Sequence, residues 1–227
     1  VFVNPAQASQ VHGDQSRYAT GCLVCGARLE YLRVDELREC RYCGRSVQAN
    51  AVCTEGHFVC DRCHSRDANK VIGSLCEASA ETDPVALYNR IGSHPSIPMH
   101  GPEYHSLVPA VLIAAWRNMG NTLPEGAITR AIERGASVAG GACGFLGCCG
   151  AAQGAGIALS LILGGTPFEA GIRTTVQRVT ADILGRIAEL DAPRCCHREC
   201  LIALTRFVEL SNRYLPQPLH TAGAGPC

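Results

Sequence analysis

The chain has 227 residues, of which 47% are hydrophobic and 18% are charged. This balance excludes a disordered chain, because disordered chains lack apolar surface to bury. Its 20 basic residues match its 20 acidic residues, so no overall charge draws it to nucleic-acid phosphates or to anionic membranes. We therefore expect a folded protein that binds neither a membrane nor bulk DNA.

Cysteine is the unusual residue in this composition. There are 15 cysteines, an odd number, and many stand in C-x-x-C pairs close to histidines. Such spacing is typical of metal binding or redox chemistry in a reducing compartment rather than of a disulfide framework. No secretion signal is visible and no apolar run reaches about 18 residues, so we expect a cytoplasmic protein.

The start of the chain divides into a linker and a small domain. Residues 1–18 are polar and aperiodic, and we interpret them as a linker or disordered segment. Residues 19–66 form the first predicted domain, in which Leu29–Val34 and Ser46–Val52 are compatible with short strands. This stretch has few large aliphatic residues and cannot build a core of its own. Structural zinc can supply about 10–16 kcal/mol of folding free energy, so we predict a small zinc-ribbon or cross-brace-like domain.

Eight candidate ligands for two zinc ions lie in this first domain. They follow the pattern Cys22-x2-Cys25-x14-Cys40-x2-Cys43-x9-Cys53-x3-His57-x2-Cys60-x2-Cys63. Thiolates and imidazole nitrogens are ligands that zinc prefers, and a C-x-x-C turn lets two sulfurs reach one ion. The glycines after Cys25 and Cys43 suit turns with positive φ. Spacing alone leaves two pairings open: a cross-braced one, in which alternate pairs share an ion, and a sequential one that splits the series after Cys43.

Residues 67–215 show helical periodicity, and we predict an all-α domain there. The helices are predicted over Ala68–Ala78, Pro84–Ile91, Ser106–Met119, Glu125–Val138, Cys149–Leu163, Phe168–Glu189 and Cys196–Tyr214. Apolar residues recur at helical spacing within them and indicate core packing. The last residues, 216–227, are predicted to be a frayed tail.

A group of polar residues precedes the apolar stripe of the third predicted helix. It reads His100-Gly-Pro-Glu103-Tyr-His105, and two imidazoles with a carboxylate can bind a metal or act as general acid and base. We assign Glu103 or His105 to proton transfer and His100 to binding. A capped helix start that contains one buried, hydrogen-bonded histidine is an equally supported interpretation.

Two further segments, 143–149 and 193–200, place vicinal cysteines at helix starts marked by glycine or proline. Amide N–H groups at a helix start lower the pKa of thiols and stabilise thiolates or a negatively charged cluster. We therefore predict one shared centre, an iron–sulfur cluster or a third metal, with reactive thiols at Cys149 and Cys196. The predicted ligands of this centre are Cys143, Cys149, Cys195 and Cys196. Its predicted surroundings are Cys148, Arg194 and His197, and we expect Arg194 and Arg198 to hold an anionic substrate.

The alternative for these cysteines is that they are small apolar residues of the core. Cys200 fits that interpretation, because it continues an apolar helical stripe, and Cys76 in the first helix does too. For the vicinal pairs we favour chemistry, because core filling rarely places adjacent thiols at two such helix starts.

Four stretches of the chain resemble an uncharacterised cysteine-rich family, domain of unknown function 5714. They are Cys40–Gly44, Cys53–His64 (CTEGHFVCDRCH), Met99–Val108 (MHGPEYHSLV), and Cys143–Gly156 together with Arg194–Cys196. The resemblance spans about Cys22 to Leu215 and implies a two-part chain in an anaerobic, cytoplasmic setting. It also implies a SAM-dependent methyltransferase or a radical-SAM enzyme as partner. It implies no established activity.

Three functions are consistent with these residues. We favour an enzyme, or the catalytic partner of one, whose cysteine-ligated centre performs redox, sulfur-transfer or methyl-transfer-related chemistry on a small molecule or modified RNA. The others are an electron or cluster carrier, and a zinc-stabilised adaptor that docks a partner without catalysis. An enzyme needs a pocket that reaches His100 and Glu103, whereas a carrier needs little cavity beside its cluster.

Overall fold

The computed structural model describes residues 21–223. The predicted linker over residues 1–18 and the end of the predicted tail, residues 224–227, lie outside this range. The described part has a two-stranded sheet followed by helices, which agrees with a small metal-binding region joined to a helical one. None of its helices has the length and hydrophobicity needed to cross a membrane.

The predicted helices are all present in the described part, with ends that shift by a few residues. Two short helices, over Asp61–His64 and Ala142–Phe145, were not expected. The elements are β1 (Leu29–Glu39), β2 (Ser46–Cys53), α1 (Asp61–His64), α2 (Arg66–Ala78), α3 (Pro84–Gly92), α4 (Glu103–Asn118), α5 (Ala127–Ala136), α6 (Ala142–Phe145), α7 (Gly150–Leu163), α8 (Ala170–Ala188) and α9 (Cys196–Tyr214).

The two strands form an antiparallel hairpin that has almost no core of its own. Leu29 lies opposite Cys53, and the register shifts between Tyr31 and Glu36, where β1 bulges. No residue of β1 is buried, and β2 buries only Ala49 and Cys53. Because so little apolar surface is removed from water, the hairpin depends on other interactions for its stability.

Helix α4 is the centre of the helical domain. Thirteen of its residues are buried, as expected for a helix that is apolar on every side. Helices α2, α3, α5, α7 and α9 pack around it. The start of α4 carries the predicted His/Glu segment.

Small residues bring α7 close to α4. A Cβ atom at Gly154 would lie 2.8 Å from Cδ of Pro109, so glycine is needed there for the two helices to approach. Ala151 and Ala155 of the same helix are also buried. This close approach places the beginning of α7, with Cys149 at its N-cap, beside the beginning of α4.

The residues after α9 pack against the helices as far as residue 223. Leu219 is 1% exposed, and its N–H donates to Ser211 Oγ at 3.0 Å. The Asp83 carboxylate, which caps α3, accepts hydrogen bonds from the Thr221 hydroxyl and the Ala222 N–H. The predicted frayed tail is therefore wrong for residues 216–223, because Leu219 finds an apolar site on the helical domain.

Candidate metal centres and the clefts beside them

One group of four ligands lies at the open end of the hairpin. Cys22 and Cys25 precede β1, Cys53 ends β2 and His57 follows it, and their ligand atoms all lie within 4.8 Å of one another. The Sγ atoms of Cys25 and Cys53 are 3.5 Å apart, and His57 Nδ1 is 3.3 Å from Cys25 Sγ. The N–H of Glu55 donates to Cys53 Sγ at 3.3 Å, a contact that favours the thiolate form.

The second group lies at the opposite end of the hairpin, where β1 turns into β2. Cys40 and Cys43 belong to this turn and Cys60 and Cys63 to the start of α1, and their sulfur atoms also lie within 4.8 Å of one another. The Sγ atoms of Cys43 and Cys60 are 3.9 Å apart, and the N–H of Cys60 donates to Cys40 Sγ at 3.4 Å. The N–H and guanidinium of Arg45 lower the pKa of Cys43 to about 6. The thiolate form of Cys43 is therefore populated near neutral pH.

The structure selects the cross-braced pairing. Strand β1, 11 residues long, separates the first C-x-x-C turn from the second, and at roughly 3.3 Å per residue the two turns are too far apart to share an ion. The chain comes back to the second turn after β2, where Arg41 N–H donates to the Phe58 carbonyl at 2.8 Å. Gly26 and Gly44 have φ of 75° and 69°, which confirms the predicted turns. We call residues 21–65 the metal-binding lobe.

Hydrogen bonds join the metal-binding lobe to the helical domain. At the loop before α6, Asn50 Nδ2 donates to the Gly140 carbonyl at 2.9 Å, and the Gly140 N–H donates to Asp61 Oδ2 at 2.6 Å. At the start of α4, His64 Nδ1 donates to Glu103 Oε2 at 3.2 Å. The lobe is therefore attached to the same loops that carry the predicted chemical residues of the helical domain.

A cleft of about 430 Å³ opens between the starts of α4, α7 and α9. Its walls include Cys143, Cys149 and Cys196, together with His105 and Arg194. These residues come from three stretches far apart in sequence, and the fold brings them together. We call this space the thiol cleft.

Of the thiols that line this cleft, Cys149 and Cys200 are buried, Cys196 is half-buried and Cys143 is exposed. Burial has the largest effect on the pKa values of Cys149 and Cys196. Burial, followed by the charge of Glu199, raises the pKa of Cys149 to about 12, although the N–H groups of Ala151 and Ala152 act in the opposite direction. Burial also raises the pKa of Cys196 to about 11. The predicted lowering of the thiol pKa at these helix starts is wrong for both residues, because loss of hydration disfavours the thiolate more than the helix N–H groups favour it.

Sequence reasoning missed two residues of the cleft wall. Glu199 is 7% exposed, and its carboxylate accepts hydrogen bonds from the Cys149 thiol at 3.3 Å and from the Cys195 N–H at 3.2 Å. Cys200, assigned to core packing, is indeed buried but also lines the thiol cleft. Helical spacing could have revealed both residues, because Glu199 and Cys200 follow Cys196 by three and four positions and therefore share its face of α9.

One predicted ligand of the centre, Cys195, and two of its predicted neighbours, Cys148 and His197, do not line the thiol cleft. Cys195 is the N-cap of α9 and is not among the described residues that line the thiol cleft. The Cys148 thiol lies 4.0 Å from a backbone carbonyl of α6, and His197 Nδ1 is 2.8 Å from the Tyr88 hydroxyl. Within residues 21–223, the groups of three or more metal-ligating side chains whose ligand atoms meet within 4.8 Å are the two of the metal-binding lobe. No three ligands of the helical domain come that close.

His105 offers a free lone pair to the thiol cleft. Its Nδ1 donates to the Val138 carbonyl at 3.0 Å, and because a carbonyl only accepts, the neutral ring carries its lone pair on Nε2. Burial lowers the pKa of His105, so the ring is neutral near pH 7. It packs against Gly150, where a Cβ atom would collide with the ring.

Glu103 and His100 do not line the thiol cleft. Glu103 is fully buried, and it binds His64 through one oxygen. His100 is buried on the wall of a second cleft, of about 760 Å³, between the metal-binding lobe and the helices; we call it the interlobe cleft. Burial, followed by the charge of Arg194, lowers the pKa of His100. Of the two proton-transfer candidates, His105 is the one that faces the thiols.

Comparison with known proteins identifies the helical part. The sequence profile of a family of unknown function, DUF5714, matches residues 72–227. The chain belongs to this family. No curated protein and no solved structure matches the chain significantly.

The DUF5714 match begins within α2. The predicted resemblance, from Cys22 to Leu215, begins 50 residues earlier, at the first cysteine of the metal-binding lobe. Every residue that lines the thiol cleft lies inside the DUF5714 region. The metal-binding lobe precedes that region and supplies one wall of the interlobe cleft. The DUF5714 region therefore carries the thiols that line the thiol cleft, and the metal-binding lobe adds the two metal-ligand groups.

Proposed function

We propose that this chain is a metalloenzyme, or the metal-bearing partner of an enzyme, whose DUF5714 region holds a cysteine-ligated iron–sulfur cluster or other metal in the thiol cleft. The observation that carries the proposal is the convergence of Cys143, Cys149 and Cys196 on one cleft from three separate stretches of the chain. The chemistry we propose is redox, sulfur-transfer or methyl-transfer-related chemistry on a small molecule.

The two ions of the metal-binding lobe are structural zinc in this proposal. Zinc–sulfur bonds of about 2.3 Å in a tetrahedron place two sulfurs about 3.8 Å apart. The Cys25–Cys53 and Cys43–Cys60 sulfur separations, 3.5 and 3.9 Å, are close to that value. Each group also provides four ligands, which leaves no coordination position for a substrate.

The thiol cleft offers ligands for a cation or cluster. Burial keeps the Cys149 and Cys196 thiols neutral when nothing is bound, and the Glu199 carboxylate lies beside Cys149. A bound metal ion or cluster would compensate the negative charge of thiolates there, and a coordinating thiol is then deprotonated. An iron–sulfur cluster spaces its cysteines more widely than a single ion does, because iron and sulfide lie between them.

Open space beside the thiols supports an enzyme more than a carrier, although of His100 and Glu103 only His100 lines a cleft, the interlobe one. The interlobe cleft and the thiol cleft share Gly101, Gly140 and Arg194 in their walls, so the two spaces are neighbours. His105, with its free Nε2, is positioned to accept a proton there. A SAM-dependent methyltransferase or radical-SAM partner and a cytoplasmic location, both implied by the family resemblance, belong to the same proposal.

Anaerobic purification of the full chain tests this function. Zinc, iron and acid-labile sulfide are measured together with the visible absorption spectrum, and we expect zinc in both lobe sites plus iron, sulfide and colour. Cys149→Ser and Cys196→Ser should lose iron, sulfide and colour but keep zinc. Cys76→Ala is the matched control, because Cys76 is buried in α2 away from the cleft, and it should keep all of them.

The outcomes separate the alternatives. A colourless protein that contains only zinc would contradict the proposed centre and leave a zinc-stabilised adaptor. A coloured protein whose spectrum no small molecule perturbs would support an electron or cluster carrier.

A further inference from the structure

Arg194 occupies the junction of the two clefts. It lies in the loop between α8 and α9, is half-buried, and lines both the thiol cleft and the interlobe cleft. A permanent positive charge therefore stands between the larger space and the buried thiols.

No carboxylate of the described part balances this charge. None of the ion pairs formed within residues 21–223 includes Arg194. Burial disfavours its charge, but the neighbouring side chains of Tyr31, Cys196 and Cys143 outweigh burial and raise the pKa of Arg194. Arg194 is therefore a charged, half-buried guanidinium that forms no ion pair with a carboxylate of residues 21–223.

Arg198, four residues later, is placed differently. Its guanidinium donates to the Pro193 carbonyl at 3.0 Å and lies 3.5 Å from Glu199 Oε1. It also lies outside the set of described residues that line the two clefts. Of the two arginines that the sequence assigned to an anionic substrate, only Arg194 faces the clefts.

We propose that the interlobe cleft binds a small organic anion whose carboxylate or phosphate group pairs with the Arg194 guanidinium, and whose opposite end reaches the thiol cleft. This inference rests on the proposed function, because it names the substrate class of the same site. The planar guanidinium matches a carboxylate or phosphate through two parallel hydrogen bonds.

The other polar groups of the interlobe cleft are compatible with an anion. Its one lining carboxylate, Asp61, already accepts a hydrogen bond from the Gly140 N–H at 2.6 Å. His57, His64 and His100 also line it, and imidazoles can donate hydrogen bonds to an oxyanion. Arg194 is the only lining side chain with a permanent positive charge among the described residues.

Isothermal titration of the full, anaerobically purified chain tests the anion site. Succinate and inorganic phosphate are the two probes, at constant ionic strength, and they distinguish a carboxylate site from a phosphate site. We expect at least one to bind at a single site, with affinity reduced about tenfold or more in Arg194→Gln. Arg194→Lys keeps the positive charge but loses the planar guanidinium that makes two parallel hydrogen bonds, so its affinity should be intermediate. Arg178→Gln, exposed on α8, should bind like the wild type.

Two results would overturn the inference: neither probe binds the wild type at up to about 10 mM, or wild type and Arg194→Gln bind equally well. If Arg194→Gln does not fold, equal affinities of the wild type and Arg194→Lys would also overturn the inference. Metal and sulfide analysis of the same samples separates this inference from the proposed function. Anion binding by a chain without iron or sulfide would keep the anion site and remove the proposed centre. A chain that contains iron and sulfide but binds neither probe would keep the proposed centre and remove the anion site.

Discussion

The Nδ1 atom of His64 donates a hydrogen bond to Oε2 of Glu103 at 3.2 Å. His64 directly follows the metal ligand Cys63, and Glu103 is the fully buried first residue of α4. The contact therefore joins the second metal-ligand group to the central helix of the DUF5714 region. Removing either partner leaves the other with an unsatisfied buried or half-buried polar group.

A double-mutant cycle measures this contact. We expect His64→Ala and Glu103→Ala each to lower the free energy of unfolding, with a coupling energy of about 1–3 kcal/mol between them. Urea unfolding of the metal-replete proteins, followed by circular dichroism, gives the four values. Additivity of the two substitutions to within about 0.5 kcal/mol would show that the contact contributes nothing.

Loss of one ligand in the second metal group should release one ion and open the hairpin. In Cys60→Ser we expect the metal content to fall from two ions to one in the lobe, because the remaining three sulfurs no longer close the site. Hydrogen exchange of β2 should accelerate, since the hairpin buries little apolar surface. Native mass spectrometry and hydrogen-exchange mass spectrometry provide the two measurements. Retention of both ions would contradict the assignment of Cys60 as a ligand.

Gly135 and Gly185 should respond oppositely to substitution by alanine. A Cβ atom at Gly135 would collide with the backbone of α4 at His105 and Ser106, whereas nothing lies within 4 Å of one at Gly185. Gly135→Ala should therefore lower the free energy of unfolding by about 1–3 kcal/mol, and Gly185→Ala should raise it by about 0.5–1 kcal/mol. Chemical denaturation checks both values. A Gly135→Ala protein as stable as the wild type would mean that α5 and α4 are not packed this closely.

The contact between α8 and α9 should depend on pH in a defined direction. Arg206 binds the Asp182 carboxylate through two nitrogens, at 2.6 and 3.0 Å. Hydrogen bonds from Arg206 hold the pKa of Asp182 below its usual range. A carboxyl group with a depressed folded-state pKa stabilises the fold above its unfolded pKa of about 3.9, and this contribution disappears as pH falls through the folded value.

We therefore expect Asp182→Asn to be less stable than the wild type at pH 7, with the difference shrinking below about pH 4. Urea unfolding of both proteins across this range is the measurement. The comparison between the two proteins cancels the effect of acid on the metal-binding lobe, which both share. A difference that stays constant down to pH 2 would contradict the ion pair.

Local pattern was sufficient for much of the fold. The sequence predicted a helix from Pro84, and the structure begins α3 there, with Asp83 as its cap. The predicted helices appear with small shifts at their ends because apolar periodicity and helix breakers are local properties. The C-x-x-C pairs likewise predicted two four-ligand groups, since a tight turn of this kind can serve only one ion.

Long-range packing accounts for what local pattern missed. Leu219 follows a proline-containing segment that reads as a frayed end, yet it is buried because the helical domain offers it an apolar site. Cys149 stands at a helix start, where amide groups favour the thiolate, yet its pKa is raised because neighbouring elements exclude water. Neither effect can be read from residues adjacent in sequence, since each depends on how much solvent the folded chain removes.

The sequence by itself determined the kind of chemistry available: eight sulfur and nitrogen ligands in the lobe, helices after it, and thiols at two helix starts. Only the tertiary structure decided which ligands share an ion, that Glu199 and Cys200 face the thiol cleft while Cys195 does not, and that Arg194 stands between two clefts. The reason is physical. Residue type and spacing specify local geometry, whereas distances between segments 50 or 100 residues apart are decided by the packing of the whole core around α4.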